Sequence, residues 1–197
     1  MLTFYIAAAT LLALACSGAP LRRLATIRIR HAWLLWTALA DQVLIISVIP
    51  NSHPTVLAAA HIASYVAGGA CLLVNRRLPG VWLVGVGGAL NALAIAANGG
   101  TMPASQAALR ASGWHTSTEH FNNSAPLSSP RLPLLGDIFA TPPWLPGHTV
   151  FSIGDIAIWL GIAWFLWRSC RPRPGQTMTA TGFGTSTTMP SPNGQPV

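Results

Sequence analysis

A bundle of membrane-spanning helices is the fold class that this 197-residue chain predicts, on three observations. Half of its residues are hydrophobic (51%), only 8% are charged and the mean hydropathy is +0.48, outside the usual range of a soluble domain. Apolar runs of helical length recur along it, and arginines gather in short clusters between those runs. The expected architecture is an all-α integral membrane protein. Five transmembrane helices make up residues 1–170, with the N-terminus outside, a long outer loop at 98–149 between the fourth and fifth helices, and a disordered cytoplasmic tail at 171–197.

The first run, residues 1–18, is uncharged and closes on Gly18 and Pro20. Signal peptide, lipoprotein signal and spanning helix are its three readings. No positive charge precedes the apolar core, which favours a retained helix. The second span, 32–49, ends at Pro50-Asn51-Ser52-His53-Pro54; the third, 55–74, at Asn75-Arg76-Arg77; the fourth, 80–97, at Asn98-Gly99-Gly100. The fifth, 150–167, is followed by Arg168, Arg171 and Arg173. Arg22, Arg23, Arg28, Arg30, Arg76 and Arg77 join these three on one side, leaving only Arg110 and Arg131 for the other. The positive-inside rule then makes the Arg-rich side cytoplasmic, in a multi-pass protein of the cell membrane with a cytoplasmic C-terminus. Within 98–149, Ala104 to Ala111 is expected as a short interfacial helix. A loop of this length usually works as a lid or binding surface. Beyond Pro172 the chain is dominated by Pro, Gly, Ser and Thr with hardly an apolar anchor, a composition that cannot bury a core.

The net charge of +7 comes from eleven Arg and no Lys. These flank apolar runs and do not form a basic face interleaved with aromatics, so nucleic acid is not an expected partner. The expected partner is the lipid bilayer. Cys16, Cys71 and Cys170 lie far apart in or beside apolar runs and read as small core residues. His115 and His120, with Glu119 adjacent, lack a zinc-ligand spacing on a helix, and no phosphate loop, dinucleotide fingerprint or nucleophile elbow occurs. Neither a metal nor a cofactor is expected.

Four acidic residues remain, and three fall where a charge needs an explanation. Asp41 lies in the second span, where an unpaired carboxylate costs several kcal/mol; it is either a site or proton-relay group or a bonded strut between helices, with Gln42 beside it. His61, Ser64 and Tyr65 form a polar stripe on the third span, read as interhelical bonding. On the fourth span Gly85/Ala89 and Gly88/Ala92 have the small-xxx-small spacing of close helix packing, and Asn91 is a primary amide in apolar surroundings. Asp137 and Asp155 each stand in a Gly-Asp-Ile triplet, the first in a Pro-rich loop and the second at the start of the fifth span, both on the outer side. Two carboxyls brought together there could share a proton and do acid/base chemistry. Equally, Asp155 could cap its helix and Asp137 stabilise a turn. Asn91, Asn98, Ser152, Asp41 and His61 are the supporting polar residues of the candidate site.

Two resemblances meet at these residues. Asn91 to Pro103, with Leu134 to Phe139 and Val150 to Gly161, is similar to the uncharacterised bacterial membrane proteins of domain-of-unknown-function family 5317. That implies a multi-spanning protein and brings no activity. More distantly, Phe151 to Ile158 resembles the Phe-Asn-x-Ala-Asp-x-Ala-Ile motif of lipoprotein signal peptidases, which are membrane aspartyl peptidases. On that resemblance Asp155 matches the second catalytic Asp, and Asp137, 18 residues earlier, the first. Trp36 to Gln42 is similar to their first span, and Gly87-Gly88-Ala89-Leu90 to the start of their Gly-Gly-Ala-Leu-Gly-Asn-Leu-Ile-Asp motif. The chain departs from the family at Ser152 and Gly154, where the motif has Asn and Ala, and at Ala92 and Ile95, where it has Asn and Asp. The expected function is therefore a membrane component without assigned chemistry, or an aspartyl peptidase-like enzyme acting at the outer face on a membrane-embedded peptide or lipid-linked ligand.

Overall fold

The computed structural model of the chain describes residues 2–43, 54–113 and 124–170. It is mostly helical: α1 (Leu2–Cys16), α2 (Ala32–Val43), α3 (Pro54–Val74), α4 (Val81–Ala97), α5 (Gln106–Ala111) and α6 (Ile153–Cys170). Five of these occupy the regions expected to span. Among the described residues one helix, Ile153–Cys170, is long and apolar enough to cross a membrane; Ile6–Cys16, Ile62–Val74 and Val81–Ala97 are shorter apolar helical stretches. The expected end of the second span, the tail at 171–197, and His115, Glu119 and His120 lie outside the described residues.

The main packing runs from α2 to α3 to α4 to α6 to α1. The tightest seam, between α4 and α6, is made by glycines. Gly80 lies against the Gly161 carbonyl and Gly87 against that of Gly154, so the two helices run antiparallel with matching glycines about two turns apart. A Cβ at any of the four would strike the opposite helix, at Gly161 meeting Val84 Cγ2 at 2.7 Å and the Gly80 carbonyl at 2.8 Å. This corrects the expected seam. Nothing lies within 4 Å of a Cβ built at Gly88, and one at Gly85 meets only Leu72 Cδ1, at 3.9 Å. Gly85, Gly88, Ala89 and Ala92 line an open groove instead. The spacing identifies small residues but not which neighbour each face meets.

Two asparagines lock helix ends to loops. Asn75, just past α3, accepts from the Arg30 amide at 2.9 Å and donates to the Arg30 carbonyl at 2.8 Å. Asn98, at the end of α4, grips Arg131 in the same way, at 2.7 Å for each bond. Each also donates to the carbonyl four residues back in its own helix. An Asn side chain thus satisfies the orphan carbonyls of a helix C-terminus and a loop peptide together.

The chain is mostly helical, and among the described residues the expectation of an all-α chain is corrected only within 102–151, where four two-residue strands lie. Met102–Pro103 (β1) pairs in parallel with Ser124–Ala125 (β2), and Phe139–Ala140 (β3) pairs antiparallel with Val150–Phe151 (β4). Backbone groups of a folded-back loop need partners, and these short ladders supply them. Helix α5 begins one residue after Ser105, whose side chain accepts from the Ala108 amide at 3.4 Å. It falls within the expected helical stretch. The fifth long helix starts at Ile153 rather than at 150, because Val150 and Phe151 are extended in β4. A small core of Ala94, Ile95 and Met102, with Tyr65 and Leu135 against it, closes this end of the helices.

Candidate functional site

Asp155 is held at the start of α6 by a reciprocal pair of bonds. Its Oδ2 accepts from the Ser152 amide at 2.8 Å, and its own amide donates to Ser152 Oγ at 3.1 Å. Ser-Ile-Gly-Asp is thus a capping box with Asp at the third helical position, a spacing legible in the sequence. The other carboxyl oxygen, Oδ1, accepts from Asn91 Nδ2 at 2.9 Å. Asn91 reaches it because Gly87 and Gly154 bring the helices together one turn below. Ser152 Oγ lies 2.9 Å from both Asn91 Oδ1 and Asp155 Oδ2. Its single hydroxyl proton can serve only one of these acceptors.

Asp137 arrives from the loop. Its amide donates to the Pro103 carbonyl at 2.8 Å, its carbonyl accepts from the Ser105 amide at 2.9 Å, and it bridges to Ala104. The preceding Gly136 is pressed against the Pro103 carbonyl, where a Cβ would clash. The segment after β1 therefore has Ala125 on one side, through the Ala104 amide, and Asp137 on the other. The Ser124 hydroxyl nevertheless reaches Asp137 and donates to its Oδ2. The side chain is 5% exposed. Burial pushes the Asp137 carboxyl up from 3.8 to about 6; the Ser124 hydrogen bond lowers it, and the charge of Asp155 raises it further.

Tyr65 of α3 packs against Ala94, Ile95 and Met102 at the same end of α4. The fold thus gathers Asp137, Asp155, Asn91, Ser152, Ser124 and Tyr65 at one end of the helices. Phe151 forms an aromatic stack beside them, with ring centroids 5.4 Å from Phe139 and 5.0 Å from Trp159.

Of the expected site residues, Asp155, Asn91 and Ser152 share one hydrogen-bond network, and Asp137 is linked to them only through the charge of Asp155. Asn98 serves as the clamp on Arg131 instead. Asp41 is outside this network, and its Oδ2 is buried with no hydrogen-bond partner among the described residues. His61 is on α3, but its side chain lies outside the described residues. Two participants were not assigned to the site from sequence. Tyr65 read only as part of an interhelical stripe, and Ser124 carried no signal, because its role depends on strand pairing across the loop. No group of three or more potential metal ligands occurs among the described residues. The arrangement offers a buried carboxyl, a second carboxyl held by a serine hydroxyl, and an amide: groups of the kind used in proton transfer.

The chain belongs to the family described as "Family of unknown function (DUF5317)", whose model matches residues 26–167. No curated protein and no solved structure matches it.

Proposed function

We propose that this member of the family is a multi-pass protein of the cell membrane whose outer face carries an aspartyl acid/base site. Asp137 and Asp155 hold one proton between them there and act on a membrane-embedded peptide or lipid-linked group. One observation carries the reading: the loop folds back so that a buried Asp137 sits in the electrostatic field of Asp155, at a helix end that Asn91 and Ser152 organise. In the reaction, one carboxylate takes a proton from water as its oxygen adds to the scissile carbonyl, and the other carboxyl donates its proton to the carbonyl oxygen. Collapse breaks the C–N bond and returns a proton to the leaving nitrogen. The motif resemblance to lipoprotein signal peptidases supports the same assignment.

Membrane placement draws support from the outward faces of the helices. Trp33, Trp36, Trp82, Trp164 and Trp167 are exposed, and they cluster towards the helix ends that carry Arg30, Arg76, Arg77 and Arg168. Tryptophan beside arginine at one level is the pattern of a membrane–water interface. The five-span count is part of this proposal.

The capping box favours a second reading, in which Asp155 only starts α6 and Asp137 only ties the loop to β1. One experiment separates them. Purified protein in proteoliposomes is incubated with a library of single-span peptides, and products are identified by mass spectrometry. Cleavage is expected to be bell-shaped in pH and to fall at least about 100-fold in both Asp137→Asn and Asp155→Asn, with helicity retained. Full activity in either variant, or no cleavage by the wild type, defeats the catalytic reading.

A further inference from the structure

The groove that replaces the expected glycine seam has a volume of about 730 Å³, within the roughly 300–1,000 Å³ range of ligand pockets. It opens between α3 and α4, with Leu39 of α2 along one rim. Its walls are apolar and its floor is short of side chains: at Gly68, Gly69 and Gly88 an added Cβ would meet nothing within 4 Å. The two ends differ. Arg76, exposed, and Trp82 mark the end where α3 finishes and α4 begins, while Ser64 and Tyr65 mark the other. From Tyr65 to Val74 the helix rises roughly 14 Å, close to half of the roughly 30 Å hydrocarbon core of a bilayer. The length matches one leaflet.

We propose that this groove binds an anionic phospholipid of the cytoplasmic leaflet, one acyl chain lying over the glycines and the phosphate at Arg76. Charge complementarity selects this occupant. An apolar helix would leave Arg76 without a counter-charge, whereas a basic group between helices on the cytoplasmic side is suited to a phosphate headgroup. Trp82 stands at the level where an indole favours the interface. The proposal rests on the membrane placement given above but not on the acid/base site.

The test uses full-length protein, extracted and delipidated in a mild detergent, with phosphatidylglycerol or phosphatidylcholine added back and binding read by native mass spectrometry and thermal shift. Wild-type protein is expected to bind one phosphatidylglycerol in preference to phosphatidylcholine. Arg76→Gln should weaken phosphatidylglycerol about fivefold, the effect of about one basic residue near an anionic headgroup, and phosphatidylcholine less, because its choline cation offsets the same phosphate. Gly69→Leu and Gly88→Leu, from facing helices and each directed into open space, should abolish binding of both lipids while circular dichroism is unchanged. Equal binding of the two lipids by wild type, wild-type binding by both leucine variants, or a second polypeptide or second copy retained in the groove overturns the proposal. Release of the protein from cells without detergent overturns it together with the membrane placement; a detergent-requiring protein with no anionic preference overturns the lipid site alone.

Discussion

Asp137 makes the candidate site sensitive to pH. Its carboxyl titrates at about 6 in the fold, against an ordinary 3.8, chiefly through burial. The folded protein therefore holds this proton more tightly than the unfolded chain. The resulting stabilisation is complete below about pH 4 and is lost as pH rises through about 6, an amount on the order of 3 kcal/mol. Asp137→Asn removes this titration, leaving position 137 neutral at every pH. Thermal melts in detergent should show the wild type losing stability between about pH 4 and 7 while the variant stays level over that range. A wild-type profile as flat as the variant's would mean that the carboxyl is not buried as described.

At the scale of elements, the α4–α6 seam is what places Asn91 on Asp155. A Cβ at Gly154 would land on the Asn91 side chain and the Gly87 carbonyl. Overpacking of this kind costs about 1–3 kcal/mol. Gly154→Ala is expected to lower the melting temperature and to break the Asn91–Asp155 bond, whereas Gly88→Ala, mid-helix and facing the open groove, should raise stability by up to about 1 kcal/mol. Equal effects from the two substitutions would put the seam back on the face that the small-xxx-small spacing indicated. The capping box was open to reading in advance, since Ser152 and Asp155 are three apart before an apolar run. The clamps made by Asn75 and Asn98 were not, because their partners Arg30 and Arg131 lie 45 and 33 residues away.

Across the whole molecule, the proposed sidedness rests on charge: nine of eleven arginines are on one side of the expected spans. Exposed Trp144 of the loop at 98–149 and exposed Arg77 between α3 and α4 should then lie on opposite membrane faces. In a cysteine-free background, Trp144→Cys is expected to react with an impermeant maleimide added to intact cells, and Arg77→Cys only after lysis. Labelling of both in intact cells would refute the five-span arrangement.

What the sequence by itself determined is local: where apolar runs become helices, which flanks carry arginine, and that Asp137 and Asp155 stand 18 residues apart on either side of a Pro-rich turn. Composition and periodicity act over a few turns of chain, so they are legible in order. Which face of α4 meets α6, how the segment from β1 to Ala104 lies between Ala125 and Asp137, and how Tyr65 comes to pack against Ala94, Ile95 and Met102 were decided only by tertiary structure. Each depends on backbone bonds or close packing between segments distant along the chain, which no local pattern encodes.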